Sequence, residues 1–279
     1  MPLNCLADEM RSCRKCASKL SEYGVVPRPI FGGGAGYPVI LIGQAPGRTE
    51  YERNAPFQGD AGASIKSLFG SCGLRDFDSI VYQTSVTKCF PGRRPGASTD
   101  RVPSISEVNS CSPFLAKQLE LLKPKLIVCL GGLSWKAYVT MREREEPDYC
   151  LREFGKRKPQ DLRVPDLVGR RFLWRDAVVL PMIHPAGSAN GSRAQYPSQD
   201  LESKPGLSHL SDIAESKITF TVMHLQNPCS QSLILCSFLV FWGSHDDEGS
   251  DAAHAGVRLD FRPTQHPSGQ TRSVRTAHG

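Results

Sequence analysis

The stretch Pro38–Gly47, PVILIGQAPG, decides the fold of this chain, because an unbroken apolar run passes directly into a turn rich in glycine and proline. Three later runs have the same apolar, β-branched character, and they are Ser79–Val86, Lys125–Gly131 and Ala177–Ile183. Continuous runs of this kind are typical of parallel strands in a sheet that helices cover on both faces. We therefore expect these runs to form the strands of one parallel sheet.

Three stretches between these runs have helical character, and they are Ala63–Cys72, Ser106–Leu122 and Leu133–Met141. The second carries its apolar residues on one side, as an amphipathic helix does. Strands that alternate with helices predict an α/β fold, here a three-layer α/β/α domain with a central four-stranded parallel sheet. The segment Arg142–Asp176 is crowded with charge, and we expect it to be a long exposed connection with some local structure.

The length of 279 residues allows one domain with its own core and a tail. We expect the domain to cover residues 1–217, and residues 218–279 to form an atypical, disordered tail in which the periodicity fails. The longest apolar run, Ser232–Trp242, is too short to span a bilayer, and the start has no apolar core of a secretory signal. A soluble intracellular protein is therefore expected.

The cysteines form the clearest candidate ligand set. An intracellular chain with ten cysteines favours metal or catalytic roles over disulfides. Cys13 and Cys16 form a C-x-x-C pair, and Cys89 and Cys111 flank a loop rich in Pro, Gly and Arg. Four thiolates suit a zinc ion or an iron–sulfur cluster, but buried thiols without a metal would give the same spacing. The residues alone leave these alternatives open.

Polar residues follow several of the predicted strands. The sequence has no histidine before His184, which comes directly after the last predicted strand. Parallel sheets bind ligands outside the carboxyl ends of their strands, so Gln44, Glu50, Ser85 and His184 are expected to converge in one cleft. The alternative is that His184 only caps the sheet before a proline turn.

Four motifs follow one another along the chain with a characteristic spacing. They are Gly43–Glu50 with Ala55–Gly62, Thr84–Cys89, Glu107–Leu115 with Pro124–Gly131, and His184–Gly187. Together, over roughly residues 10–190, they resemble the iron–sulfur uracil-DNA glycosylases. The resemblance implies an enzyme that hydrolyses the N-glycosidic bond of uracil in DNA and leaves an abasic site for base excision repair.

The resemblance also implies roles for individual residues. A 4Fe-4S cluster would be held by Cys13, Cys16, Cys89 and Cys111. The catalytic residues would be His184, Glu50 and Gln44. His184 would donate to O2 of the departing uracil anion, and Glu50 would stabilise the cationic sugar or orient water. The base would be bound by Gly43, Ala45, Phe57 and Ser85, with the Phe57 ring stacked on it.

Two positions depart from the family pattern. Gln44 replaces an acidic residue, and Ser85 stands where many members carry an asparagine that recognises the uracil edge. A serine hydroxyl is a less directional hydrogen-bonding group than an amide, so Ser85 predicts a wider range of deaminated bases. The alternatives are a non-catalytic protein that binds uracil or abasic DNA, and a zinc-stapled nucleotide-binding module.

The expected partner is uracil-containing DNA, single- or double-stranded, bound by a monomer with no membrane partner. A net charge of +6 favours polyanions, and Arg93, Arg94 and Arg101 suit contacts with phosphates. The expected location is the cytoplasm in association with the nucleoid, or the nucleus or an organelle in a eukaryote.

Overall fold

The computed structural model describes residues 2–32, 37–74, 76–155 and 158–185. The α-helices there are α1 (Leu3–Ser12), α2 (Ala17–Ser21), α3 (Arg48–Arg53), α4 (Asp60–Ser71), α5 (Phe77–Ile80), α6 (Ile105–Leu122), α7 (Gly132–Glu145) and α8 (Tyr149–Phe154). The strands are β1 (Val39–Gly43), β2 (Val81–Ser85), β3 (Leu126–Leu130), β4 (Phe172–Trp174) and β5 (Ala177–Met182). Short 3-10 helices cover Pro159–Asp161 and Val164–Leu167.

The strands form one sheet in the order β2-β1-β3-β5-β4. All neighbouring pairs are parallel except β4 and β5, which are antiparallel. The chain runs from β1 outward to β2 and then returns to β3 on the other side of β1. The strand order therefore reverses between β1 and β3, and a crevice at the carboxyl end of such a reversal is where open α/β sheets bind ligands.

Helices cover both faces of the sheet. Alternate strand residues such as Ile40 and Ile127 pack with α6, α7 and the segment that follows α7, whereas Leu41 and Val128 pack with α4 and α5. This two-sided burial explains why β1, β2 and β3 are continuous apolar or buried runs and do not alternate. The predicted three-layer α/β arrangement is confirmed, and Cys129 lies fully buried in the middle of β3 as expected.

The prediction of a four-stranded, all-parallel sheet was wrong. The sheet has a fifth strand, β4, which pairs antiparallel with β5 at one edge. This strand has three residues, and its central side chain, Leu173, is 74% exposed. Edge strands are often short and face water. Three residues are too few to show the hydrophobic pattern by which a strand is recognised in the sequence.

The local structure expected in Arg142–Asp176 is present, but the prediction that this segment is an exposed connection was wrong. The segment contains the end of α7, α8, both 3-10 helices and β4. It buries a set of large apolar side chains against the sheet, and these are Tyr149, Leu162, Val164, Leu167, Phe172 and Trp174. Several of its charges lie at the surface in pairs such as Arg175 with Glu145, so the high density of charged residues gave no sign of the buried side chains between them.

None of the helices in the described ranges is long and apolar enough to cross a bilayer. The predicted tail, residues 218–279, lies outside the described residues, as does the end of the predicted domain from residue 186 to residue 217.

Candidate active site and cysteine-lined cavity

The carboxyl edge of the sheet brings three of the predicted substrate-binding residues together. Gly43 ends β1 and lies beside Ser85, which ends β2. A Cβ atom built on Gly43 would lie 3.2 Å from the Phe57 ring and 3.2 Å from the Ser85 hydroxyl. Gly43 is therefore the residue that lets an aromatic face and a hydroxyl approach the same strand end.

Phe57 is held in an unusual backbone conformation. Its φ angle is +50°, in the left-handed region that residues with a Cβ atom rarely adopt. Helix α4 starts close behind it, because a Cβ atom on Gly62 would lie only 1.9 Å from the Phe57 carbonyl oxygen. The position of the aromatic ring is thus set by a tight turn, which requires a left-handed backbone at Phe57 and a glycine at position 62.

Glu50 fixes that turn from the opposite side. One carboxylate oxygen accepts hydrogen bonds from the N–H groups of Gln58 and Gly59, both at 2.8 Å. The other accepts from the N–H of Gly47 at 3.0 Å and caps helix α3. Because this carboxylate satisfies three main-chain donors, it joins the loop after β1 to the turn that carries Phe57.

His184 follows β5 at the same edge. The N–H of Gly131 donates to the Met182 carbonyl at 2.7 Å, and a Cβ atom on Gly131 would lie 3.2 Å from the Cβ of His184. Burial lowers the pKa of His184 below its ordinary value, and the nearby Glu50 carboxylate opposes that shift. Burial therefore favours the neutral imidazole, which lies within electrostatic reach of Glu50.

Gln44 and Ala45 form the first two residues of the loop after β1. The carbonyl groups of Gly43 and Gln44 accept hydrogen bonds from the N–H groups of Val86 and Thr87, at 2.9 and 3.3 Å. Among the described residues, no main-chain carbonyl accepts from the N–H of Gln44 or Ala45. Both residues are partly exposed, so their N–H groups suit hydrogen bonding to a ligand at this edge.

The four predicted cluster cysteines line a single cavity. The space within it, including open solvent at its mouth, is about 460 Å³, and its walls come from the ends of α1 and α2, the segment after β2, and α6. Cys13, Cys16, Cys89 and Cys111 all face this cavity. The fold therefore brings these four cysteines together although they are up to 98 positions apart in the sequence, as the sequence analysis predicts for a shared ligand set.

The electrostatics of these thiols follow from their burial together. Burial, reinforced by the neighbouring sulfur atoms, raises the pKa of Cys16 to about 11 and that of Cys89 to about 12. Burial also raises the pKa of Cys111, against the nearby Lys88. Main-chain N–H groups of Arg28 and Lys88 donate to the sulfur atoms of Cys89 and Cys111 respectively. These thiols need a bound cation before they ionise together.

The four thiols are the ligand type of an iron–sulfur cluster, and they are not grouped as the ligands of a single ion. Within the described ranges, no three Cys, His, Asp or Glu side chains are gathered closely enough to hold one metal ion. A zinc ion requires its sulfur ligands at about 2.3 Å from a common point. The four cysteines line one cavity, and main-chain N–H groups donate to two of the sulfur atoms, as is common for iron–sulfur ligands.

The loop between Cys89 and Cys111 is fixed by a buried ion pair that the sequence analysis missed. The Arg101 guanidinium donates twice to the Glu107 carboxylate, and their side chains are only 7% and 5% exposed. Arg101 also stacks on Tyr23, and Glu107 completes a capping box with Ser104 at the start of α6. The spacing of six residues between Arg101 and Glu107 is the only signal in the sequence.

The predicted phosphate contact by Arg101 was therefore wrong, because its guanidinium is buried and paired. Arg93 is also paired, with Asp100 at 2.6 Å, and Asp100 accepts in turn from the N–H of Arg48 at 3.2 Å. Arg94 is exposed, and no carboxylate of the described residues pairs with it. Asp100 links the cysteine loop to the start of α3 at the carboxyl edge.

Comparison with known proteins gives a consistent result. The model of the Uracil DNA glycosylase superfamily matches residues 31–203. The type-4 uracil-DNA glycosylase of Archaeoglobus fulgidus is 37% identical over 132 residues, which are 47% of this chain and 61% of that protein. That of Pyrobaculum aerophilum is 33% identical over 144 residues, 52% of this chain and 68% of that protein. That of Sulfurisphaera tokodaii is 28% identical over 190 residues, 66% of this chain and 74% of that protein.

This match covers β1 to β5, the loop after β1, the Phe57 turn and His184, together with Cys89 and Cys111. The region that the family model recognises is thus the region that forms the sheet and its carboxyl edge. The chain belongs to the uracil DNA glycosylase superfamily.

Proposed function

We propose that this chain is a uracil-DNA glycosylase, which hydrolyses the bond between uracil and deoxyribose and leaves an abasic site. The observation that carries this proposal is the meeting of Gly43, Phe57 and Ser85 at the sheet edge that also holds His184. The relatives named type-4 uracil-DNA glycosylase support the choice of base and of reaction. Its substrate is uracil-containing DNA.

The pocket would first have to receive a nucleotide removed from the base stack, at a cost of a few kcal/mol. The Phe57 ring would stack on the uracil and repay part of this cost. Ser85 Oγ and the N–H groups of Gln44 and Ala45 would hydrogen-bond to the base or to the incoming water. The tight turn at Phe57 keeps the ring in place before the base arrives, which reduces the entropy lost on binding.

Cleavage of the C1′–N1 bond leaves its electron pair on uracil and a cationic sugar at C1′. His184, whose burial favours the neutral imidazole, would donate a hydrogen bond to the O2 atom where the negative charge of uracil develops. The Glu50 carboxylate would oppose the positive charge on the sugar while its main-chain hydrogen bonds hold the Phe57 turn. Water adds to C1′ and gives up a proton, which balances the departing uracil anion.

The cavity is proposed to hold a 4Fe-4S cluster through Cys13, Cys16, Cys89 and Cys111. Bound there, the cluster would pin the N-terminal helices to the loop between Cys89 and Cys111, and it would supply a redox centre. The mutual burial of the thiols and the N–H donors to Cys89 and Cys111 support this assignment. Arg94 remains the proposed phosphate contact in that loop. We also propose that the protein acts as a monomer. Its proposed location is the cytoplasm in association with the nucleoid, or the nucleus or an organelle in a eukaryote.

The experiment that tests the activity uses oligonucleotides that each carry one deaminated base. Protein purified without oxygen is incubated with uracil-, hypoxanthine- or xanthine-containing strands, and alkali then reveals abasic sites. Release of uracil supports the proposal, and release of all three bases at similar rates supports the wider specificity that Ser85 predicts. An iron-containing, folded protein that binds uracil DNA and releases no base would contradict the enzyme and favour a binding protein.

A further inference from the structure

Lys88 is a buried cation without an anionic partner among the described side chains. Its side chain is among the largest that are fully buried, at 1% exposure, and it lines the cysteine cavity. Its ammonium group donates to the Ser85 carbonyl, and no described carboxylate lies within ion-pair distance. Glu107, on the same cavity, is already paired with Arg101. Lysines are almost never fully buried without a compensating charge.

Thr87 is a second polar group in the wall of the same cavity. It is 5% exposed, and its hydroxyl finds no hydrogen-bond partner within the described part of the chain. A buried hydroxyl without a partner costs on the order of 1–3 kcal/mol. Two adjacent residues that line one cavity therefore carry a hydroxyl without a described partner and an ammonium group without a described counter-charge.

We infer that Lys88 and Thr87 are the counter-charge and the hydrogen-bond donor of the iron–sulfur cluster and together raise its reduction potential. This inference rests on the proposed cluster and not on glycosylase activity. Four thiolates outweigh the positive charge of the iron–sulfur core, so the bound cluster is a net anion. That anion would compensate the buried Lys88, whose neighbours in the chain, Cys89 and Thr87, face the same cavity.

The sign of the effect follows from charge. Reduction adds one electron and makes the cluster more negative. A nearby cation or hydrogen-bond donor therefore stabilises the reduced cluster more than the oxidised cluster. Removal of either group therefore makes the potential more negative. Lys88 has the larger effect, because it carries a full charge in a water-excluded position, where screening is weak.

The test measures the reduction potential of cluster-loaded Lys88→Met and Thr87→Val by voltammetry. Lys15→Met is the matched control, because Lys15 lines the same cavity but its side chain is exposed to solvent. Thr99→Val, at an exposed loop position, is the control for the hydroxyl. Iron and sulfide content and the release of uracil are measured on every preparation.

We expect a clear negative shift in Lys88→Met, a smaller one in Thr87→Val, and little change in either control. Loaded variants with the wild-type potential, or equal shifts in Lys88→Met and Lys15→Met, would overturn the inference. If Lys88→Met does not assemble a cluster, the reduction potential of the nearly isosteric Thr87→Val alone decides between these outcomes. A wild type without iron would remove the cluster and this inference together, whereas an iron-loaded protein without uracil release would remove only the proposed activity.

Discussion

The carboxyl edge of the sheet and the cysteine-lined cavity both place polar groups inside the fold, but they differ in how those groups find partners. At the edge, Glu50 is satisfied by three main-chain N–H groups, and the Phe57 turn is rigid without any added group. In the cavity, burial and the neighbouring thiols raise the pKa of Cys89, Lys88 has no described carboxylate partner, and the Thr87 hydroxyl has no described hydrogen-bond partner. The edge is organised by protein groups alone, whereas the cavity is the proposed site of a cofactor.

Two contacts connect these regions. The Lys88 ammonium reaches from the cavity to the carbonyl of Ser85, at the end of β2. Asp100, in the cysteine loop, accepts from Arg48 beside Gly47. Loss of the cofactor should therefore disturb the active site, but a change in the active site should leave the cofactor in place.

The largest effect is expected for Cys111→Ser, which removes a ligand from α6. The variant should lose its brown colour and most of its soluble yield, because the N-terminal helices and the cysteine loop then lose their common anchor. Iron content and the yield of soluble protein measure this, with Cys5→Ser, an exposed thiol, as the control. A Cys111→Ser protein with full iron content, or a wild type that contains zinc, would refute the cluster assignment.

Phe57→Ala should weaken the base pocket and leave the cluster intact. Stacking contributes about 1–3 kcal/mol for each base, so KM for uracil DNA should rise about 5- to 150-fold. Steady-state kinetics and iron analysis measure the two effects separately, and Phe57→Tyr keeps the ring as the control. Loss of iron in Phe57→Ala would show that the two regions are not independent in this direction.

Glu50→Gln tests whether that carboxylate organises the edge. Replacement of the anion weakens hydrogen bonds to three N–H donors and should reduce the free energy of unfolding by on the order of 2 kcal/mol. Denaturant unfolding measures this, and Glu52→Gln, in an exposed pair with Arg48, should change it little. An unchanged stability in Glu50→Gln, together with a slower reaction, would assign Glu50 to the chemistry alone.

The smallest effect is expected for Ser85→Asn. An amide adds one directional hydrogen bond to the uracil edge, about 1 kcal/mol, so preference for uracil over hypoxanthine should rise about fivefold. Competition between two labelled oligonucleotides measures the ratio. An unchanged ratio would mean that Ser85 does not set base specificity.

The regular part of the fold was predictable because its signals are local. The runs at β1, β2, β3 and β5 are buried on both faces, so each is a continuous apolar or β-branched stretch. The polar residues that follow them share one edge because the strands are parallel. Site positions such as Ser85 and His184 could therefore be assigned to this edge from strand order alone.

The parts that the sequence did not reveal depend on pairing in three dimensions. Strand β4 is defined by its hydrogen bonds to β5 and not by periodicity. From the sequence, Arg101 is expected at the surface, because its pairing with the Glu107 carboxylate is visible only in the structure. Likewise, the burial of Lys88 is invisible in a stretch that reads as an ordinary loop, since it depends on α6 and the N-terminal helices closing over it.

The rate of uracil release by His184→Ala tests the central claim most directly. Loss of one well-placed electrostatic donor should slow single-turnover release about 10²- to 10³-fold, with the affinity for uracil DNA and the iron content preserved. That result would place His184 in the reaction at the carboxyl edge of the sheet. Near-normal release by this variant would contradict the account, because the edge would then not be where the glycosidic bond is cut.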